Sequence, residues 1–349
     1  MTVLKVAFFD TKPYDVEVFN SVNKNFGFEI KYFHMHLRPE TVVMANGFDV
    51  VCVFVNDILS AEVIAALEPS TIKLIALRCA GYNNVDLKAA YGKMHVVRVP
   101  AYSPHAIAEH TVGLMLSLNR KLHKAYARTR DSNFSLNGLL GFDMYGKTAG
   151  IIGTGQIGKI VAGILNGFGL NVLAYDKYPD QVFASANKIT YTDIDTVFTS
   201  SDIITLHCPL TPENKHIVNA AAIAKMKRGV MIINTGRGEL IDTKALIAGL
   251  KTGAIGYAGL DVYEEETDYF FEDFSNSVMA DDVLARLLTF PNVMVTSHQA
   301  FFTSDALTNI ANTTLNNIKA YFENAELKNE ICYKCDIVPC RKKKDGKCF

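Results

Sequence analysis

The sequence of 349 residues has almost no charge imbalance, with 35 Lys and Arg against 36 Asp and Glu. A balanced chain offers no overall field for nucleic acid or an anionic membrane surface, so neither partner is expected. Long apolar runs are also missing: none reaches the roughly 18 residues that span a bilayer, which excludes a membrane-spanning helix. The opening residues, MTVLKVAFFD, break their apolar run at Asp10 and carry no small-residue cleavage site. They read as a first strand, not an export signal, and a cytoplasmic protein is expected. No internal repeat is visible, and no low-complexity segment precedes the C-terminal tail. What is abundant is apolar side chain, 49 % of the residues, enough for the cores of two domains at this length.

Seven cysteines fall into two groups. Cys52, Cys79 and Cys208 stand singly in apolar, strand-like contexts and read as buried thiols in a reducing compartment. Cys332, Cys335, Cys340 and Cys348 crowd the tail. Four thiolates can hold zinc or an iron–sulfur cluster. Beyond the Cys-x-x-Cys pair, however, the spacings match no ligand pattern, and residues 341–344 are a solvated basic run. The tail, 331–349, is therefore expected to be flexible, and no metal is assigned.

Short apolar runs at 3–9, 28–33, 50–55 and 73–77, followed by HVVRVP, alternate with helix-like segments at 14–26 and 61–67. This alternation predicts a parallel sheet with crossover helices. Ser103-Pro104 then starts a long helix, running on through HAIAEHTVGLMLSLNRKLHKAYARTR. After a loop rich in Asn, Ser and Gly, the alternation resumes, giving six candidate strands from residue 149 to 296, with helices at 192–200, 219–227 and 242–251. A last helix over 304–324 begins after this second sheet is complete. It is expected to rejoin the first domain, giving 1–101 with 300–330 as a discontinuous domain and 102–299 as an insertion.

The stretch AGIIGTGQIGKIVAGILNGFGLNVLAYD, 149–176, is the strongest local signal. A strand runs into a glycine-rich turn, then a helix, then a second strand ending in Asp176. Gly153 permits the tight turn, Gly155 lets backbone approach a pyrophosphate, and Gly158 lets helix and sheet pack closely. The helix N-terminus supplies free N–H groups and partial positive charge. An acid about twenty residues on accepts from ribose hydroxyls and prefers NAD to NADP.

Three later strands also end in polar groups. In IINTGRGELID, Asn234, Thr235, Gly236 and Arg237 follow a buried strand, at the edge where open α/β sheets bind ligands. Arg237 can hold a carboxylate with two parallel hydrogen bonds, or pair with a surface acid. In GLDVYEEET, Asp261 leads to Glu264, Glu265 and Glu266, a triplet that is ordinarily a solvated turn. In VMVTSHQAF, His298 stands just past a strand, where histidines are more often structural. Gathered at one sheet edge beside a nicotinamide cofactor, however, an Arg, a Glu and a His supply what hydride transfer needs. One group holds the substrate, an acid protonates the developing alkoxide, and a carboxylate fixes that acid's tautomer and favours its charged form.

These blocks, with LRCAGYNNVDL (77–87), VPAYSPHAIAEHT (99–111) and LHCPLTPEN (206–214), resemble the D-isomer-specific 2-hydroxyacid dehydrogenases, particularly their lactate-acting members, over residues 3–330. The resemblance implies an NAD-binding Rossmann domain inserted into a discontinuous flavodoxin-like substrate domain, both α/β with doubly wound parallel sheets. It implies that Arg237 holds the substrate carboxylate, His298 gives the proton and Glu266 is its acidic partner. Gln156 and Ile157 would meet the pyrophosphate, and Cys208, Pro209 and Asn214 would line the adenosine side. Thr235 and Gly236 would approach the cofactor by backbone, and Asp261 would accept from the nicotinamide amide. Ala80 and Gly81 resemble the turn whose amides help hold the substrate, with Tyr102, Phe301 and Phe54 lining its pocket. NADH and a small 2-oxo acid would bind in a cleft that closes to exclude water, giving D-lactate from pyruvate. Branched or aromatic 2-oxo acids are the alternative substrates, because one methylene shifts discrimination by only about 1–3 kcal/mol. A non-enzymatic NAD sensor is the alternative function, and intact Arg237, Glu266 and His298 argue against it. The family also implies a homodimer or larger homo-oligomer, built through the cofactor domain.

Overall fold

The computed structural model describes residues 3–265, 269–335 and 340–349. They form two compact units, Met1–Ser103 with Phe302–Phe349, and Pro104–Phe301.

The first unit contains β1 (Lys5–Phe8), α1 (Pro13–Asn23), β2 (Glu29–Tyr32), β3 (Val50–Val53), α2 (Ala61–Leu67), β4 (Leu74–Leu77), α3 (Leu87–Ala90) and β5 (His95–Val97). Every residue of β3 and β4 is buried, as expected of central parallel strands covered on both faces, while β2 at the edge is only partly covered. The order β5-β4-β3-β1-β2, all parallel, is flavodoxin-like.

The second unit opens with α4 (Pro104–Arg120) and α5 (Leu122–Arg130). It continues with β6 (Thr148–Ile152), α6 (Gln156–Gly167), β7 (Asn171–Tyr175), α7 (Gln181–Asn187), β8 (Ile189–Tyr191), α8 (Ile194–Ser200), β9 (Ile203–Leu206) and α9 (Ala220–Lys225). It ends with β10 (Val230–Asn234), α10 (Thr243–Thr252), β11 (Ile255–Leu260), α11 (Asp282–Leu288) and β12 (Val293–Val295). The sheet order β12-β11-β10-β9-β6-β7-β8 reverses direction between β6 and β9, the switch point at which such sheets bind ligands. The long helix α12 (Ser304–Phe322), β13 (Glu330–Ile331) and the short α13 (Lys342–Asp345) belong to the first unit.

Three expectations change. The second sheet has seven strands, because β8 is a three-residue strand with no apolar run to announce it. The helix expected to run from Ser103 to Arg130 breaks at Lys121, whose φ of 49° is left-handed. There the Asn119 amide turns inward, donating to Phe142 O at 2.8 Å and accepting from Phe142 N at 2.8 Å. The third change is the tail. Expected to be flexible, its described residues pack on the first sheet: β13 pairs antiparallel with β5, and Cys348 is buried. Among the described residues, no helix is long and apolar enough to cross a membrane.

Candidate active site

The turn after β6 is built as its glycines require. Gly153 has φ +95°, and a Cβ there would stand 2.5 Å from Cys208 N. A Cβ on Gly158 would stand 2.0 Å from Gly153 O, so α6 can pack on the turn only without one. Gly155 differs: a Cβ would meet nothing within 4 Å, so the space beside it is open for a ligand.

The helix start carries a further signal. Six helices directly follow strands β6 to β11. Five begin on a capping side chain: Asp180, Asp193, Asn219, Asp242 and Asp281. The sixth, α6, begins on Gly155 with no side-chain cap. Its first amides therefore lack both an intrahelical acceptor and a capping oxygen, the arrangement a phosphate completes.

Asp176 follows β7. Its Oδ2 accepts from Thr154 N at 2.6 Å and Thr154 Oγ1 at 3.0 Å, and its Oδ1 accepts from Tyr178 N at 2.8 Å. Partial burial pushes this carboxyl up, but those donors and Lys159 more than offset it, leaving it below the usual range. It is an ionised acceptor with one lone pair on Oδ1 still to give. Across the turn, Asn214 holds the loop after β9, donating to Pro209 O at 2.6 Å and accepting from Thr211 N at 2.7 Å. Burial raises the Cys208 thiol to about 11 and lowers the neighbouring His207 imidazole to about 4, so both are neutral near pH 7.

The ends of β10, β11 and β12 form a second cluster. Asn234 closes the Arg237 turn, accepting from Gly236 N at 3.0 Å and donating to Arg237 O at 2.8 Å. Thr235 meets Thr111 of α4, hydroxyl to hydroxyl, at 2.9 Å. Gly238 lies against the main chain of Tyr263, where a Cβ would come within 2.1 Å. Arg237 is exposed. Its guanidinium donates to Gly236 O at 2.8 Å, and among the described residues no acid pairs with it.

A main-chain ladder joins this turn to His298. Asp261 N donates to Asn234 O at 2.9 Å, and His298 N donates to Asp261 O at 2.8 Å. The Asp261 carboxylate is fully buried and gathers the loop: Thr296 Oγ1 (2.5 Å) and Gln299 N (2.9 Å) donate to Oδ1, and Ala300 N (2.9 Å) to Oδ2. His110 Nε2 of α4 lies 3.2 Å from Thr296 Oγ1 and 3.4 Å from Asp261 Oδ1. These bonds hold His298 at φ +52°, a conformation unusual for a side-chain-bearing residue and fixed here by its surroundings. The nicotinamide-acceptor role expected of Asp261 thus meets a carboxylate with no exposure and three donors. All three donors belong to the loop that carries His298.

Sequence reasoning missed His110, Gly238 and Phe271. Phe271 also has positive φ, and its ring lies 5.9 Å from that of His298 and 6.5 Å from that of Phe301. Glu264 is structural: its Oε1 lies 2.6 Å from His216 Nε2, and its Oε2 accepts from Thr243 N at the start of α10. Glu266 lies outside the described residues.

Within the first unit, Ala80 and Gly81 follow β4. Their carbonyls accept from Arg98 Nη1 (2.7 Å) and Cys79 Sγ (3.3 Å). Tyr102 O accepts from Asn309 of α12 at 2.8 Å. Phe54 is buried, its ring 4.7 Å from the Arg78 guanidinium, so it is as much core as pocket wall.

Several known proteins are similar to this chain over most of its length. Residues 112–300 match the family model described as D-isomer specific 2-hydroxyacid dehydrogenase, NAD binding domain. A D-lactate dehydrogenase of Escherichia coli is 53 % identical over 329 residues, covering 94 % of this chain and all of that protein. The solved Salmonella D-lactate dehydrogenase superposes with a TM-score of 0.86 at 52 % identity, covering 94 % of this chain and all of that one. The pyruvate reductase of Chlamydomonas reinhardtii superposes with a TM-score of 0.90 at 42 % identity, covering 94 % and 98 %.

Proposed function

The chain belongs to the D-isomer-specific 2-hydroxyacid dehydrogenases, NAD-dependent oxidoreductases, and on that premise we propose that it reduces pyruvate to D-lactate, reversibly. The observation that carries the assignment of roles is the ladder from Asn234 through Asp261 to His298, which ties a carboxylate-binding Arg and a proton-donating His to adjoining strand ends. The uncapped start of α6 suits the cofactor pyrophosphate, with Gln156, Ile157 and Gly158 donating. Asp176, with an acceptor position left, suits the adenosine ribose and disfavours a 2′-phosphate. Bound there, NADH supplies the hydride.

The residues of the chain do the rest. Arg237 holds the substrate carboxylate with paired charge-assisted bonds and orients C2. His298 gives its proton to the carbonyl oxygen as negative charge develops there, and Glu266 is proposed to stabilise the charged imidazole. Asp261, through Thr296 and the amides of Gln299 and Ala300, fixes where that imidazole stands. In the first unit, the Ala80–Gly81 turn and Tyr102 are the proposed substrate-binding elements, since the carbonyls of Ala80 and Gly81 are engaged and their amides are the groups to offer.

We also propose a homo-oligomer formed through the second unit. Phe134, Leu136, Leu140 and Tyr145 are each at least three-quarters exposed there, more apolar surface than one loop of a monomer ordinarily shows to water. Light scattering should give at least twice the 38.5 kDa chain mass.

Initial rates of NADH oxidation with pyruvate, 4-methyl-2-oxopentanoate and phenylpyruvate test the substrate. The highest kcat/KM is expected with pyruvate. A preference for either larger acid would move the assignment to a branched or aromatic 2-hydroxyacid dehydrogenase, and no turnover with any of them would leave an NAD-binding protein.

A further inference from the structure

The C-terminal tail places four cysteines around one point. Cys332 Sγ lies 3.6 Å from Cys335 Sγ and 3.8 Å from Cys340 Sγ, and Cys335 Sγ lies 3.9 Å from Cys348 Sγ. All four sulfur atoms fall within 4.8 Å of one another, and none is in a disulfide. Four thiolates on a tetrahedron around zinc, each at about 2.3 Å, stand roughly 3.8 Å apart along its edges. A disulfide would bring two sulfurs to about 2.05 Å. A multi-iron cluster would spread its four cysteines over two or four iron atoms, so that sulfurs on different irons stand farther apart than these. The separations seen are those of a single tetrahedral ion.

From this geometry we infer that Cys332, Cys335, Cys340 and Cys348 form a structural zinc site that clasps the tail onto the edge of the first sheet. The surroundings are built for it. Cys332 N donates to Cys335 Sγ at 3.3 Å, and Cys335 N to Cys332 O at 3.1 Å, so the Cys-x-x-Cys segment is a closed turn with an amide aimed at sulfur. Cys348 is held from the other side by its own N–H, which donates to the buried Glu330 Oε2 at 2.5 Å. Glu330 sits on β13, and its Oε1 lies 2.5 Å from His95 Nδ1 of β5. Phe349, next to Cys348, stacks on the His95 ring at 4.3 Å, and Lys342 Nζ donates to Lys328 O and Glu330 O at 2.7 Å each. Ligand spacing alone did not reveal the site, because the fold brings Cys348 back to the pair through α13 and the left-handed Gly346.

Charge is accommodated too. Binding forms four S–Zn bonds and releases the four thiol protons to solvent, giving a centre of charge −2. Residues 332–349 hold six basic side chains against two acidic ones, so that centre sits in a positive segment. The site also covers the backbone edge of β5, which would otherwise be open to pairing with another chain.

The full-length chain, expressed with zinc and purified under reducing conditions, should retain about one equivalent of zinc per chain through gel filtration. Cys335→Ser and Cys340→Ser should each lower that content at least about tenfold. Should these variants precipitate, cobalt decides: wild-type protein loaded with Co²⁺ should show an intense thiolate-to-cobalt charge-transfer band and the visible bands of a tetrahedral ion. Zinc below about a tenth of an equivalent, an octahedral cobalt spectrum, or iron with acid-labile sulfide would overturn the inference. So would a metal-free chain about 4 Da lighter by mass spectrometry, the mark of two disulfides.

Discussion

The two sheets are built alike and differ in what they do with charge at the carboxyl ends of their strands. In the second unit, main-chain hydrogen bonds fix the turns after β7, β10 and β12, and Asp176, Arg237 and His298 there are partly or fully exposed. In the first unit, the equivalent positions carry charges that face one another. Arg78, just past β4, is buried; it donates to Phe9 O (3.0 Å), Asp10 O (2.5 Å) and Asp15 Oδ2 (3.3 Å), with its guanidinium centre over Phe8 and Phe54. Asp57 is buried as well and accepts from Leu37 N and Phe54 N at 2.6 Å each. An arginine and an acid at strand ends are thus scaffold in the first sheet and the proposed site in the second, and the contacts of each group distinguish the two.

Breaking each arrangement should give opposite readouts. Arg237→Ala removes a guanidinium that, among the described residues, makes one local bond. Its kcat/KM should fall on the order of 10³-fold, with the urea midpoint unmoved. Arg78→Met should do the reverse, costing about 3–5 kcal/mol of stability by urea unfolding, since it leaves two carbonyls and a set of carboxylates without their cation.

Asp261→Asn tests the element between these extremes, a buried acid that serves the site. An amide nitrogen turned towards Gln299 or Ala300 must displace the His298 loop, so kcat should fall by about 10²-fold. NADH affinity, set at the α6 start three strands along the same sheet edge, should stay put. A fall in NADH affinity with kcat unchanged would instead restore Asp261 to the cofactor.

The smallest effect concerns pH. Burial raises the Asp57 carboxyl to about 7, against the opposing pull of Arg78 and the two amides. The unfolded chain ionises this group near pH 4, so between about pH 4 and 7 unfolding releases a proton. The contribution is therefore fully present below pH 4 and is lost as pH rises through 7. Asp57→Asn should flatten the stability–pH slope over that interval by up to about 1 kcal/mol per pH unit.

Much of this was legible in the sequence. Buried parallel strands are continuous apolar runs, so β1, β3, β4, β6, β9 and β10 announce themselves, and Arg237 and His298 stand out because a polar residue directly follows such a run. The rest was hidden for physical reasons. β8 and β13 are three and two residues long, below any periodicity. The break at Lys121 comes from what Asn119 bonds to, and nothing in the local residues encodes that partner. Arg78 and Asp57 carry the same letters as solvated charges, and only burial tells them apart. Glu264 and Glu266 stand two apart in one acidic run, and only the fold shows that Glu264 is spent on His216 and Thr243.

The central claim is that His298, held by the Asp261 ladder, gives the proton. Its most direct test is His298→Ala, with NADH binding followed by the fluorescence of the nucleotide, since the chain has no Trp. The expected result is NADH affinity close to wild type with pyruvate turnover lowered by at least about 10²-fold. Turnover equal to wild type would contradict the account.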